Sequence, residues 1–283
     1  ALGLIGEGEV IYQNKVMPAA EAIESANLSK ATLKLRDGLS LINGTSCMSG
    51  IAALNLIQLS KLLHWSILCS SVMNELTASY NDSFSKELND SKLHAGQRFV
   101  AQKMRDILEN GNVLKNRNDH LFNKEHIEGQ EFFSEKVQEY YSLRCVPQII
   151  GPIYDAFCTA KKVVEDEINS ANDNPIVCVA SKSVYHGGNF HGDYIAFEMD
   201  KIKIGVTKLS MLAERQINYL LNNKLNHKFP PFLNVGQLGF NFGLQGMQFT
   251  AVSTTAENQT LSNPMYVHSI PNNGDNQDIV SMG

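Results

Sequence analysis

The chain has 283 residues, 43% of them hydrophobic, and 24 basic against 29 acidic side chains give a net charge of −5. That is enough apolar content for a folded core, while the mixing of charges, with no basic stripe interleaved with aromatics, argues against nucleic acid as a partner. The five cysteines (Cys47, Cys69, Cys145, Cys158 and Cys178) are scattered, odd in number and lack C-x-x-C spacing, which points to reduced thiols, a cytoplasmic protein and no zinc site.

The opening ALGLIGEGEV reads as the middle of a helix without an initiator Met, so we expect a piece of a longer polypeptide. EVIYQNKVM (9–17) predicts a small hairpin around a Gln-Asn-Lys turn, and Pro18 suits the first position of the helix that follows. LKLRDGLSLING (33–44) predicts a short helix ending near Gly44. From Thr45 to about Ser79 apolar residues are too dense for a one-sided stripe. Ile51, Leu54, Ile57, Leu62, Trp65, Leu68, Val72 and Leu76 would surround the axis of a helix buried on most sides. The uncharged run Ser46–Ser60 is shorter than a bilayer span, which favours a core helix over a membrane segment.

GQRFVAQKMRDILENG (96–111) predicts an amphipathic helix with Phe99, Met104, Ile107 and Leu108 inward and Gly111 as its stop. Residues 112–130 read as an irregular loop. A helix is expected from Glu131, kinked or broken at Pro147 and Pro152, with another reaching about Ser170. Residues 171–192 read as loop, and Tyr194–Leu225 as one long helix broken by KFPPFLN (228–234). The glycine-rich 236–246 precedes a helix over 247–262 and a loop-like tail. The sum is mainly α: an elongated bundle of long helices with a small β-hairpin near the start and no linker.

Four polar clusters carry the chemistry. Gln138, Tyr141 and Arg144 recur every third residue and would share one helix face. Arg is a rigid bidentate partner for a carboxylate, and Tyr can donate, accept or remove a proton. An interhelix hydrogen-bond network is the bland alternative. In LINGTS (41–46), Asn43 precedes Gly44, and a helix stop with an N-cap from Thr45 would explain the motif alone. SANDNP (170–175) and HGGNFHGD (186–193) crowd His186, Asn189, His191 and Asp193 into one loop, where Gly187 and Gly188 permit unusual backbone angles or close approach. No third and fourth metal ligand has plausible spacing. The tail holds Asn272, Asn273, Asn276, Gln277 and Asp278.

In this order the clusters resemble the aromatic amino acid ammonia-lyase family: histidine, phenylalanine and tyrosine ammonia-lyases and the related aminomutases. The matching stretches are LIGEGEV, DGLSLINGTS, the Gly96-Gln97 pair, VQEYYSLRCVPQIIGP, EINSANDNP, HGGNFHGDY and SIPNNGDNQDIVSMG. YYSLRCVPQ, NPMYVHSIPNN and NQDIVSMG lean toward bacterial tyrosine ammonia-lyases.

The resemblance implies a 4-methylidene-imidazol-5-one (MIO) electrophile formed from an internal Ala-Ser-Gly, and loss of ammonia from an aromatic amino acid. It further implies a homotetramer with active sites shared between subunits. Arg144 would clamp the substrate carboxylate. Asn43 would bond that carboxylate or the electrophile's carbonyl, and Tyr141 and Gln138 would sit beside the electrophile. Phe190 and Asn189 would pack against it, and Asn273 and Gln277 would line the amine and ring side. No Ala-Ser-Gly occurs in these 283 residues. In the family it lies just upstream of LIGEGEV, so residues 1–283 read as the central region of one ammonia-lyase domain, inactive alone. Open alternatives are a histidine ammonia-lyase, an aminomutase, a fumarase-like lyase with a related fold, or a non-catalytic helical scaffold.

Overall fold

The computed structural model describes residues 1–123, 136–237, 239–268, 270 and 277–281. Strands β1 (Glu9–Tyr12) and β2 (Lys15–Pro18) form the expected hairpin, with Val10 opposite Met17. Gln13 and Asn14 supply the positive φ values of its turn, 48° and 62°, as a tight hairpin requires. Before it, LGLI makes only a single tight turn, Leu2–Ile5, rather than the middle of a helix, because Gly6 takes a left-handed φ of 84° and stops it. Short helices α1 (Ala19–Ser25) and α2 (Asp37–Asn43) lead to α3 (Ser46–Leu76). Then come α4 (Lys86–Asp90), α5 (Ala95–Leu108), α6 (Tyr141–Arg144), α7 (Val146–Ile168), strands β3 (Ile176–Cys178) and β4 (Ser183–Tyr185), α8 (Asp193–Leu221), α9 (Asn223–Asn226) and α10 (Gln245–Leu261).

The long helices pack as a bundle: α3 against α5, α7 and α8, α5 against α7, α7 against α8, and α8 against α10. The core is built from stripes at helical spacing. Ala52, Leu56, Leu59, Leu63 and Ile67 on α3 meet Val100 and Met104 on α5, Ile150 and Ile153 on α7, and Ile202 and Leu209 on α8.

Four expectations are corrected here. α3 is not buried on most sides. Ile51, Leu54, Ile57, Leu62, Trp65, Val72 and Leu76 are exposed, Trp65 to 59%, because α5, α7 and α8 cover only one flank and no described part of this chain covers the other. The break expected at Pro147 falls just before it, at Cys145 between α6 and α7, with Pro147 in the first turn of α7 where no amide donor is needed, but α7 runs unbroken through Pro152. The loop read over 171–192 contains a second hairpin, β3–β4, with Val177 opposite Val184. Its strands are too short to announce themselves by alternation. Residues 118–122 also form one helical turn inside the stretch read as irregular.

Among the described residues α3 alone is long and apolar enough to cross a bilayer by length and composition. Its inner flank nevertheless buries Ser49, Ser70, Ser71 and Asn74, and its apolar stripe belongs to the bundle core.

Candidate functional site

Hydrogen bonds fix the direction of the bundle. At one end the Thr45 hydroxyl, before α3, donates to Glu167 near the end of α7. At the other, Asn74 near the end of α3 donates to the Leu143 carbonyl just before α7, and Gln216 on α8 donates to the Ser142 carbonyl. Helices α3 and α7 are therefore antiparallel, as are α7 and α8.

The Gln138–Arg144 motif sits at the second end. Tyr140 is extended (φ −61°, ψ 154°) and starts α6, and its carbonyl accepts from the Leu143 and Arg144 amides, both at 3.0 Å. Gln138 thus precedes the helix and does not share a helical face with Tyr141 and Arg144. The cause is tertiary. The Tyr80 phenol donates to the Lys136 carbonyl at 2.9 Å and Arg117 donates to the Val137 carbonyl, which holds the lead-in extended. Lys136 adds a 2.6 Å ion pair to buried Glu139 and a 3.3 Å bond to the Tyr219 phenol. Burial is the largest single influence and works against the Lys136 ammonium, but the bond and charge of Glu139 together with the Tyr219 phenol outweigh it and its pKa is raised. Burial pushes the Tyr219 phenol up.

The extended lead-in places Gln138 between two cavities. One, about 660 Å³, is lined by Lys136, Glu139, Tyr140, Tyr141, Leu225 and His227 as well. The other, about 550 Å³, reaches Arg144, Arg117, Asp82 and Gln148. The Arg144 guanidinium lies 4.9 Å from the centre of the exposed Tyr141 ring. Arg144 Nε and Gln148 Oε1 are buried without a hydrogen-bond partner among the described residues. An unpaired guanidinium N–H beside a cavity is suited to an incoming carboxylate.

The other polar clusters converge at the first end. Asn43 is exposed at the last position of α2. Thr45 occupies the N-cap position of α3 but its side chain accepts no capping bond there; its hydroxyl donates to Glu167. Gly44 packs on the next motif, where a Cβ would come within 3.1 Å of the Asn172 carbonyl. Arg36 pairs with Asp173 at 3.3 Å. The Gly187 amide donates to Asn174 Oδ1 at 2.7 Å, and Asn189 donates to the Ala171 carbonyl at 3.1 Å. Gly187 and Gly188 take no positive φ, and a Cβ at either would meet no described atom of this chain. Phe190 is 40% exposed. The Gly192 amide donates to Ser281 Oγ at 2.8 Å, and His191 pairs with Asp193 and reaches the Ile279 carbonyl. The Gln277–Ser281 strap is thereby docked on the HGGNFHGD loop. Asn273 lies outside the described residues.

The expected site residues thus fall into two groups. Asn43, Asn189, Phe190 and the strap bearing Gln277 are at one end, and Gln138, Tyr141 and Arg144 at the other. The 31 residues of α3 separate them by about 46 Å. Sequence reasoning missed the residues that seat the second group: Tyr80, Arg117, Lys136, Glu139, Asn74 and Gln216.

The fold is shared with solved aromatic amino acid aminomutases. The structure superposes on the Pantoea agglomerans phenylalanine aminomutase with a TM-score of 0.92 at 33% identity, covering 99% of this chain and 55% of that one. The chain belongs to the aromatic amino acid lyase family, whose model, described as aromatic amino acid lyase, matches residues 1–283. It is 37% identical to a tyrosine 2,3-aminomutase of Myxococcus sp. (strain Mx-B0) and 36% identical to a tyrosine ammonia-lyase of Cupriavidus metallidurans, over 100% of this chain in both. The chain spans about half the length of these relatives, 55% and 54%.

Proposed function

We propose that this chain is the central region of an enzyme that eliminates ammonia, without oxidation, from an aromatic L-amino acid, tyrosine favoured, to give the α,β-unsaturated acid. The observation that carries the reading is Arg144, whose buried Nε has no hydrogen-bond partner among the described residues and lies beside the Tyr141 ring and a cavity. Its planar fork suits a substrate carboxylate bidentately. Tyr141 and Gln138 would orient the amine, and Gln277 and Asn273 would meet the amine and ring side.

The residues at the Asn43 end fit an MIO group. Phe190 offers a partly exposed aromatic face to a flat conjugated ring, Asn43 an exposed amide to its carbonyl, and Asn189 shares the loop with Phe190. When bound, that group would supply the electrophile that activates the amino acid. The 283 residues contain no Ala-Ser-Gly, and the two halves of the proposed site lie at opposite ends of α3. Both facts support the expectation that residues 1–283 alone are inactive.

The same separation supports a homotetramer in which the Asn43 end of one copy meets the Arg144 end of another. The uncovered apolar flank of α3 is the natural surface for it. Five free thiols support a reducing, cytoplasmic setting.

The test is to incubate the full-length protein separately with Tyr, Phe and His. Coumarate, cinnamate and urocanate are followed by ultraviolet absorbance, and β-amino acids by chromatography. Coumarate from Tyr is the expected result. Urocanate or cinnamate would move the substrate, and a β-amino acid would make the enzyme an aminomutase, a reading the similarity to the Myxococcus protein favours. No product from a folded protein would leave a helical scaffold.

A further inference from the structure

We propose that Asn74 and Gln216 are positioning residues for the Tyr141–Arg144 site, acting through the backbone of the turn that carries it. The inference rests on reading Arg144 as the carboxylate clamp. α6 is a single turn of four residues, too short to satisfy its own later carbonyls. The Ser142 and Leu143 carbonyls are taken up by side-chain amides from two different long helices. Gln216 Nε2, on α8, donates to the Ser142 carbonyl at 2.9 Å. Asn74 Nδ2, on α3, donates to the Leu143 carbonyl at 3.2 Å. Ser142 and Leu143 are the two residues between Tyr141 and Arg144, so holding their peptide planes sets the direction of both functional side chains.

The two amides are also tied to one another. Gln216 Nε2 donates to the Ser70 hydroxyl at 2.9 Å, and Asn74 Nδ2 donates to the Ser70 carbonyl at 2.9 Å. Asn74 and Gln216 are 0% and 5% exposed, so water does not compete. The packing of Leu143 against Met73 and Tyr219 seats the turn laterally, but apolar contact is non-directional. The amides add directional bonds to the turn from two other helices. Asn74 Oδ1 is buried with no partner among the described residues. Its amide nitrogen donates twice, to the Ser70 and Leu143 carbonyls.

The experiment uses the full-length protein and the variants Gln216→Met, Gln216→Glu and Asn74→Leu, with Leu59→Ala as a control from the middle of α3. Turnover is measured with the best of the three amino acids, and binding of coumarate or cinnamate by calorimetry. For Gln216→Met and Asn74→Leu, kcat/KM is expected to fall roughly hundredfold, mostly through KM, with carboxylate affinity falling in parallel. Leu59→Ala should lose stability but keep the wild-type KM. Gln216→Glu should be impaired at pH 8 and partly recover, relative to wild type, near pH 6, because burial at this position would push the carboxyl up and its protonated form again donates. That recovery also reports on the role should the Met variant fail to fold. Variants that melt like Leu59→Ala yet keep wild-type KM and affinity would reduce the two amides to structural polar groups and overturn the inference. A wild-type protein that neither binds nor converts any of these compounds would instead overturn the enzymatic reading, and this inference with it.

Discussion

Gly96 at the start of α5 lies so close to Gly151 in α7 that a Cβ on Gly96 would stand 2.1 Å from the Gly151 carbonyl oxygen. A Cβ on Gly151 would likewise meet the Gln97 amide nitrogen at 2.6 Å. The neighbours are backbone and cannot swing aside, so the two helices must separate to admit a methyl. Gly96→Ala and Gly151→Ala are each expected to cost about 1–3 kcal/mol, read as a lowered urea midpoint with unchanged slope. An unchanged midpoint for either would mean that the helices do not cross there.

His191 gives the chain a pH-sensitive contact. The hydrogen bond to Asp193 raises the imidazole pKa above its ordinary value, partial burial opposing, with a further contribution from the Ile279 carbonyl. The folded state therefore holds the proton more tightly than the unfolded chain. The stabilisation is complete below the unfolded value of about 6.5 and is lost as pH rises through the raised folded value. Both side chains are about a third exposed, so the effect on global stability is small and is best read locally. By NMR, His191 should titrate above free histidine, and Asp193→Asn should return it toward the ordinary value. A His191 that titrates normally in the native protein would contradict the pairing.

Arg144→Lys keeps the charge and loses the fork. In the full-length protein it is expected to raise KM and lower kcat/KM by roughly a hundredfold or more, because one ammonium cannot reproduce two parallel N–H donors. Near-normal kinetics from the Lys variant would show that Arg144 supplies only charge.

The separation of the two site halves makes a mixing experiment decisive. Asn43→Ala and Arg144→Ala full-length proteins should each be nearly inactive. Unfolded together and reassembled, they should regain part of the wild-type rate, since some sites would draw both intact residues from different copies. Mixtures as inactive as their parents would exclude sites shared between copies. Trp65→Glu, on the exposed flank of α3, should in turn lower the assembly state in sedimentation and lower activity with it.

The bundle was largely legible in the sequence because its helices are long and their apolar residues periodic. α3, α5, α8 and α10 fall within a few residues of where spacing puts them, and Met104 and Leu108 face inward as expected, whereas Phe99 is only partly buried and Ile107 is exposed. Exposure was less legible. The apolar run of α3 is alike on both flanks, and nothing local says which flank this chain covers with its own helices. Gln138 was misplaced because a three-residue spacing reads as helix wherever it occurs, whereas Tyr80 and Arg117, distant in sequence, hold its segment extended. The motifs themselves were visible, but their division between two ends depends on the antiparallel course of α3 and α7, which spacing does not encode.

One uninterrupted helix, α3, joins those ends, and it works as a ruler and a protractor together. Inserting a single residue between Ser46 and Asn74 would lengthen it by about 1.5 Å and turn one end about 100° against the other. Asn74 would swing away from the Leu143 carbonyl, or Thr45 from Glu167. Loops such as 179–182 can gain or lose residues without moving either end. The span of α3 cannot change without altering what every copy of the chain presents at both of its ends.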